Sequence, residues 1–238
     1  MVSHVPEDSL QTFTTRVLDC HTFLSPLDRG IVYCETVEDA TVLANLANVP
    51  LYVGPMDAEA RSMSLRPWLS GRSRWLCATS AFAQGIDYGH VTYVLHYRIP
   101  KHVTLYAQQS GRLARRSGVV GVSHLVYSHR PVHRHSSDDD LGGFNAIVDL
   151  VTRDQCRRLS ITGFLDATPY NCHMLGPCQL CDFCAHHNVC SRLIIFFTWL
   201  TLFVDPAPDS SSPSSPSYVH AQRRTPTSPP TAALFNSD

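Results

Sequence analysis

The chain has 238 residues, 44% of them hydrophobic and 16% charged, with a formal net charge of −1. That length suits one domain of ordinary size with a small appendage. The near-neutral balance excludes a global electrostatic pull toward nucleic acid, so any such binding has to come from a local patch.

The opening stretch, MVSHVPEDSLQTF, has no apolar signal-peptide core. Residues 1–29 read as an N-terminal linker segment of an intracellular protein that is not secreted, nuclear if the source is eukaryotic. From Gly30 the pattern becomes regular. GIVYC (30–34) predicts a short buried strand. TVEDATVLANLAN (36–48) predicts a helix with Thr36 as N-cap and acidic residues in its first turn. VPLYVG (49–54) predicts a strand, and DAEARSMSLRPWLSG (57–71) a helix disturbed in its last turn by Pro67. RWLCAT (74–79) and VTYVLHY (91–97) predict strands, HVTLYAQQSGR (102–112) a helix, and VVGVSHLVY (119–127) a last strand. Short strands alternating with helices predict an α/β fold over 30–128, with a parallel sheet covered on both faces. Such sheets carry their functional loops at the carboxyl ends of the strands.

The rest of the chain changes character. Residues 129–145 form a polar linker, and 146–190 a small helical module with most of the cysteines. Residues 191–204 form an apolar segment whose run Leu193–Val204 is too short for a membrane helix, which needs about 20 residues. No membrane partner is expected. Residues 205–238, rich in serine and proline, read as a disordered tail.

Three patterns carry chemistry. Nine cysteines are present; Cys20, Cys34 and Cys77 are isolated, and six lie between Cys156 and Cys190. The pair in CDFC, Cys181 and Cys184, offers two thiolates on a tight turn, with Cys156 as a third. Cys172 or Cys178 completes the set, and spacing alone does not choose between them. The set predicts structural Zn²⁺; four thiolates leave no open position for a catalytic one. The plain alternative is a group of free or oxidised thiols. In ATSAFAQGIDYGHV (78–91), a strand end brings Thr79 and Ser80 to a loop with Gln84, Gly85 and Asp87. Such a loop can face phosphates or organise a nucleotide cleft, with Asp87 orienting arginines or meeting a ribose hydroxyl. The alternative is an ordinary polar loop. In LYAQQSGRLARRSG (105–118), Arg112 and Arg115 are three residues apart and share a face if the helix continues, with Gln108 one turn earlier and Arg116 pointing elsewhere. Paired guanidinium forks can hold a triphosphate, whereas arginines alone more often form a solvated basic face.

Taken in order, GIVYC, WLCATSAFAQGIDYGHVTYVLHYRIP, YAQQSGRLARRSG, CRRLSITGFLDA and CDFC resemble the second motor half of RecQ-type DNA helicases, from about Gly30 to Cys184. ATSAFAQGID resembles that family's motif V, QQSGRLARRSG its motif VI, and CRR followed by CDFC its zinc-binding module. The resemblance implies a RecA-like C-terminal lobe that closes with a first lobe on ATP and Mg²⁺ and moves 3′ to 5′ on single-stranded or forked DNA. It makes Arg112 and Arg115 arginine fingers and Gln108 the leading motif glutamine. It places Gly85 and Asp87 in the nucleotide cleft, and Thr79, Ser80 and His96 against nucleic acid. Cys156, Cys181 and Cys184 become zinc ligands with Cys172, or Cys178 in its stead.

The sequence also departs from the family. VGPM (53–56) stands for the usual HAG, and AFAQGID for AFGMGID. In motif VI, Gln109 stands for a glutamate, Ala114 for a glycine and Arg116 for an aspartate, and Ser117 is extra. No GxxxxGK[ST] loop or DEAH-like box occurs in the 238 residues. ATP turnover is therefore not expected from this chain alone. The competing readings are a non-enzymatic nucleic-acid-binding zinc module and a non-functional helicase remnant.

Overall fold

Among the described residues, six runs rich in β-branched and aromatic residues become strands, and every pairing between them is parallel. They are β1 (Val2–His4), β2 (Arg29–Cys34), β3 (Leu51–Tyr52), β4 (Trp75–Ala78), β5 (Val91–Tyr97) and β6 (Val122–Tyr127), ordered β1-β6-β5-β2-β4-β3 across the sheet. Parallel neighbours need long crossovers. Helices α1 (Glu7–Asp19), α2 (Val37–Ala47), α3 (Ala58–Leu69) and α4 (Val103–Ser110) fall between successive strands, and α5 (Leu141–Thr152) and α6 (Arg157–Leu165) follow the last one. The computed structural model describes residues 1–20, 25–83, 88–128, 141–176 and 178–187. The expected apolar segment and tail, 191–238, lie outside them, as does most of the expected linker. Among the described residues no helix is long and apolar enough to cross a membrane.

β2 is buried at every position, as a central strand covered on both faces must be. Its alternation splits the core in two. Val32 and Cys34 join Trp75, Cys77, Leu95 and Val126 beneath α1 and α2. Ile31 and Tyr33 join Leu76, Ala78 and Val94 beneath Trp68 and Phe82. Between Arg29 and Gly30 the β2–β5 register shifts past Thr92. This irregularity puts Val91 on the opposite face from Tyr93. Gly30 is required where it stands, because the Trp75 ring occupies the place a Cβ would take.

The capping expectations hold for α2: the Thr36 side chain accepts from the Asp39 amide at 3.0 Å. The helix ends at Asn48, a residue that tolerates the left-handed φ of 50° found there. In α3 the helix runs on through Pro67 to Leu69. Trp68 anchors this last turn: it is fully buried, and its indole N–H donates to the Gly30 carbonyl at 3.0 Å.

Residues 1–29 are not a linker throughout. β1 pairs with β6 and forms an edge of the sheet, and α1 buries Leu10, Thr14 and Leu18 on one stripe. The Thr14 hydroxyl is satisfied by the Leu10 carbonyl at 2.8 Å, so a polar residue sits in the core without cost from an unmade bond. The boundary expected at 146 also falls inside an element. α5 starts at Leu141, and its Ile147, Leu150 and Val151 pack with Val103, Tyr106 and Leu125 of the sheet domain.

Candidate active site and metal centre

β2, β4 and β5 end side by side. Ser80, after β4, and Arg98, Ile99 and Pro100, after β5, line one cleft together with Tyr33 and His96. Thr79 is buried at the end of β4, its amide donating to the Tyr52 carbonyl at 3.2 Å, while Ser80 is exposed. Gly85 and Asp87 lie outside the described residues. Arg98 has a positive φ of 75°. Its guanidinium reaches both Glu7 carboxylate oxygens, at 2.7 and 3.1 Å, and lies 3.5 Å from Asp39. This residue ties α1 and α2 to the end of β5. Nothing in the sequence marks Arg98 for that role, because both acids are distant in the chain.

His96 corrects its sequence expectation. It is 1% exposed, with Nδ1 3.0 Å from Gln109 Oε1 and Nε2 3.2 Å from Ser110 Oγ. Burial drives its pKa down to about 3, opposed only in part by the Gln109 hydrogen bond. A neutral ring with both nitrogens engaged has no free group for a DNA phosphate. Gln108 is exposed, and Gln109 is the one that turns inward. The signal was present: Val103, Tyr106 and Gln109 recur every third residue, marking the buried stripe of α4.

Arg112 and Arg115 do not share a helix face. α4 stops at Ser110, and Gly111 caps it. The chain then turns through Ala114, whose φ is 49°, and the Ala114 amide donates to the Val91 carbonyl at 2.9 Å. The arginines nevertheless meet. Both line a small pocket with Ile31, Trp68, Phe82 and Tyr88. Burial raises the Tyr33 phenol, and the charges of Arg112 and Arg115 pull against that rise. The arginine turn thus sits at the amino end of β5 but on the sheet face that Tyr33 occupies. Arg116 points elsewhere, as expected: its guanidinium donates to His90 Nε2 at 2.9 Å.

Four cysteines come together, Cys172 among them. The Sγ atoms of Cys156, Cys172, Cys181 and Cys184 all lie within 4.8 Å of one another. Cys178 stays outside, its thiol donating to the Cys172 carbonyl at 3.0 Å. Cys156–Cys172 and Cys156–Cys181 sulfur separations are 3.6 and 3.9 Å. Four thiolates placed tetrahedrally at about 2.3 Å from an ion stand about 3.8 Å apart, so the group could hold a metal ion. The amide of Cys181 and the guanidinium of Arg158 both donate to Cys172 Sγ, at 3.3 and 2.7 Å. Burial alone would raise the Cys172 thiol, but these donors and the neighbouring thiols bring it down to about 7. Arg158, in the CRR run, was not singled out from sequence. Its place beside Cys156 was the available signal.

The described fold is an α/β lobe, a parallel sheet flanked by helices, with an arginine turn packed on one face and a cysteine group after the last strand. Residues 15–117 match the helicase conserved C-terminal domain. RecQ-like DNA helicase BLM of Xenopus laevis is 30% identical over 178 residues, covering 65% of this chain and 13% of that protein. ATP-dependent DNA helicase RecQ of Bacillus subtilis is 28% identical over 179 residues, covering 68% and 30%. RecQ-like DNA helicase blm-1 of Caenorhabditis elegans is 28% identical over 178 residues, covering 72% and 16%. The chain therefore spans less than a third of the length of these relatives. Its sequence is similar to RecQ-type helicases, and its residues 15–117 to the helicase conserved C-terminal domain.

Proposed function

We propose that this region is the second motor half of an ATP-dependent 3′-to-5′ DNA helicase. One observation carries the reading: the helicase match over 15–117 takes in both Arg112 and Arg115, and both line one pocket. Their guanidinium groups stabilise charge spreading over the transferred γ-phosphoryl oxygens when a first RecA-like lobe presents ATP and Mg²⁺. Thr79 and Ser80, beside the cleft where β2 and β5 end, contact the backbone of single-stranded or forked DNA, with Ser80 the accessible hydroxyl. Cys156, Cys172, Cys181 and Cys184 hold Zn²⁺, which cross-links α6 to the CDFC turn as a structural ion.

The test is a two-lobe protein in which this region replaces the corresponding one of the Bacillus subtilis relative. DNA-stimulated phosphate release above that of the first lobe alone supports the reading, and no gain overturns it. The 238-residue chain by itself is expected to release phosphate only at background.

A further inference from the structure

The last turn of α4 is fastened from inside. His96 lies stacked on Tyr33, ring centroids 6.1 Å apart, and 4.7 Å from the Tyr106 ring. Beyond its two nitrogen partners, Ser110 Oγ lies 3.0 Å from Ser123 Oγ, which lies 3.0 Å from the Tyr106 hydroxyl. These contacts join α4 to β5 and β6 through a chain of buried and half-buried polar groups, an arrangement that fixes geometry. One residue later comes Gly111, and then Arg112. The far side of the same turn is held by the Ala114 amide on the Val91 carbonyl. The turn is thus pinned at both ends of β5.

The chemistry of residue 109 sets the state of the ring. An amide oxygen on Nδ1 requires Nδ1 to donate, which leaves Nε2 to accept from the Ser110 hydroxyl. A carboxylate there would instead stabilise a second proton on the imidazole. The titratable neighbours of the ring are Tyr33 on β2, Tyr106 on α4 and, further off, His124 on β6 and the Met1 amine; Arg112 and Arg115 stand beyond Tyr33.

We infer that Gln109 and His96 are positioning residues for the arginine turn, with a neutral, single-tautomer His96 fixing the end of α4 from which Arg112 and Arg115 are presented. This rests on the reading that those arginines act on a nucleotide phosphate, although its test requires no nucleotide.

The experiment uses the full chain. Imidazole ¹⁵N spectra are recorded from about pH 8 to about pH 5. Phenylglyoxal modification of each arginine is timed by peptide mass spectrometry. The expected result is a His96 ring protonated at Nδ1 alone throughout. Gln109→Met is expected to speed modification of Arg112 roughly fivefold, the equivalent of about one lost hydrogen bond, with Arg72 unchanged. Gln109→Glu is expected to give a doubly protonated His96 at neutral pH. Should Gln109→Met fail to fold, Ser110→Ala removes the Nε2 partner together with its contact to Ser123 and is expected to speed Arg112 in the same way. An Nε2-protonated ring, a ring titrating near about 6.5, or an Arg112 rate unmoved in a folded variant overturns the inference. A chimera without ATP turnover would defeat the motor reading and leave the tautomer result standing.

Discussion

Cys156 and Cys172 hold their sulfur atoms 3.6 Å apart across sixteen positions of chain. Cys156 stands at the N-cap of α6, and the Arg158 guanidinium, two residues on, reaches Cys172. The chain returns to the start of α6 to close the group. Purified protein is expected to carry about one zinc per chain by native mass spectrometry. Cys172→Ser should lose it and Cys178→Ser should keep it. Arg158→Ala should weaken zinc binding by about 10- to 100-fold through loss of a thiolate donor. Equal zinc content in the Cys172 and Cys178 variants would contradict the assignment.

Ala114 adopts a φ of 49°, where a side chain is disfavoured. Ala114→Gly is expected to stabilise the fold by about 0.5–1 kcal/mol, the strain relieved being offset in part by the larger entropy of glycine in the unfolded chain. A rise in the urea midpoint with an unchanged slope would show it. A fall would mean that the methyl group makes packing contacts worth more than the strain.

Acid should weaken the fold through two buried histidines. His124 is 2% exposed between Tyr93 and Ser3, at 2.7 and 2.9 Å, and burial lowers it to about 4. His96 is lowered by burial to about 3. Both folded values lie below the unfolded value of about 6.5, so below that pH the unfolded chain takes up protons that the folded chain refuses. Stability is full above about pH 6.5 and declines as pH falls toward about 4, by at most about 2.7 kcal/mol per pH unit for two protons. Urea midpoints followed by the fluorescence of buried Trp68 and Trp75 should drop over that range, and His124→Asn should flatten the drop. A flat midpoint would contradict neutral burial of both rings.

The legible parts of the fold were those with a period. β2, β4, β5 and α2 announce themselves because continuous apolar runs and a three-to-four spacing match buried strands and a half-buried helix. β1 did not, since three residues carry no periodicity and gain their place only by pairing with β6, more than a hundred residues later. α1 was hidden by Thr14, a polar residue at a core position. The arginine pair was legible as chemistry but not as geometry. Spacing suggested a shared helix face, whereas Gly111 and the left-handed Ala114 make a turn that brings the two together another way. Chain closure in three dimensions brings Cys172 rather than Cys178 into the cysteine group, and local spacing is blind to such closure.

The central claim is that Arg112 acts on ATP held by another lobe. Its most direct test is the single-turnover rate of ATP cleavage in the two-lobe chimera with DNA in excess. Arg112→Ala is expected to lower that rate by about a thousandfold or more, while Arg116→Ala, whose side chain pairs with His90 outside the pocket, should leave it within about twofold of the parent. Equal rates for the Arg112 and Arg116 variants, in folded proteins that bind ATP, would contradict the account.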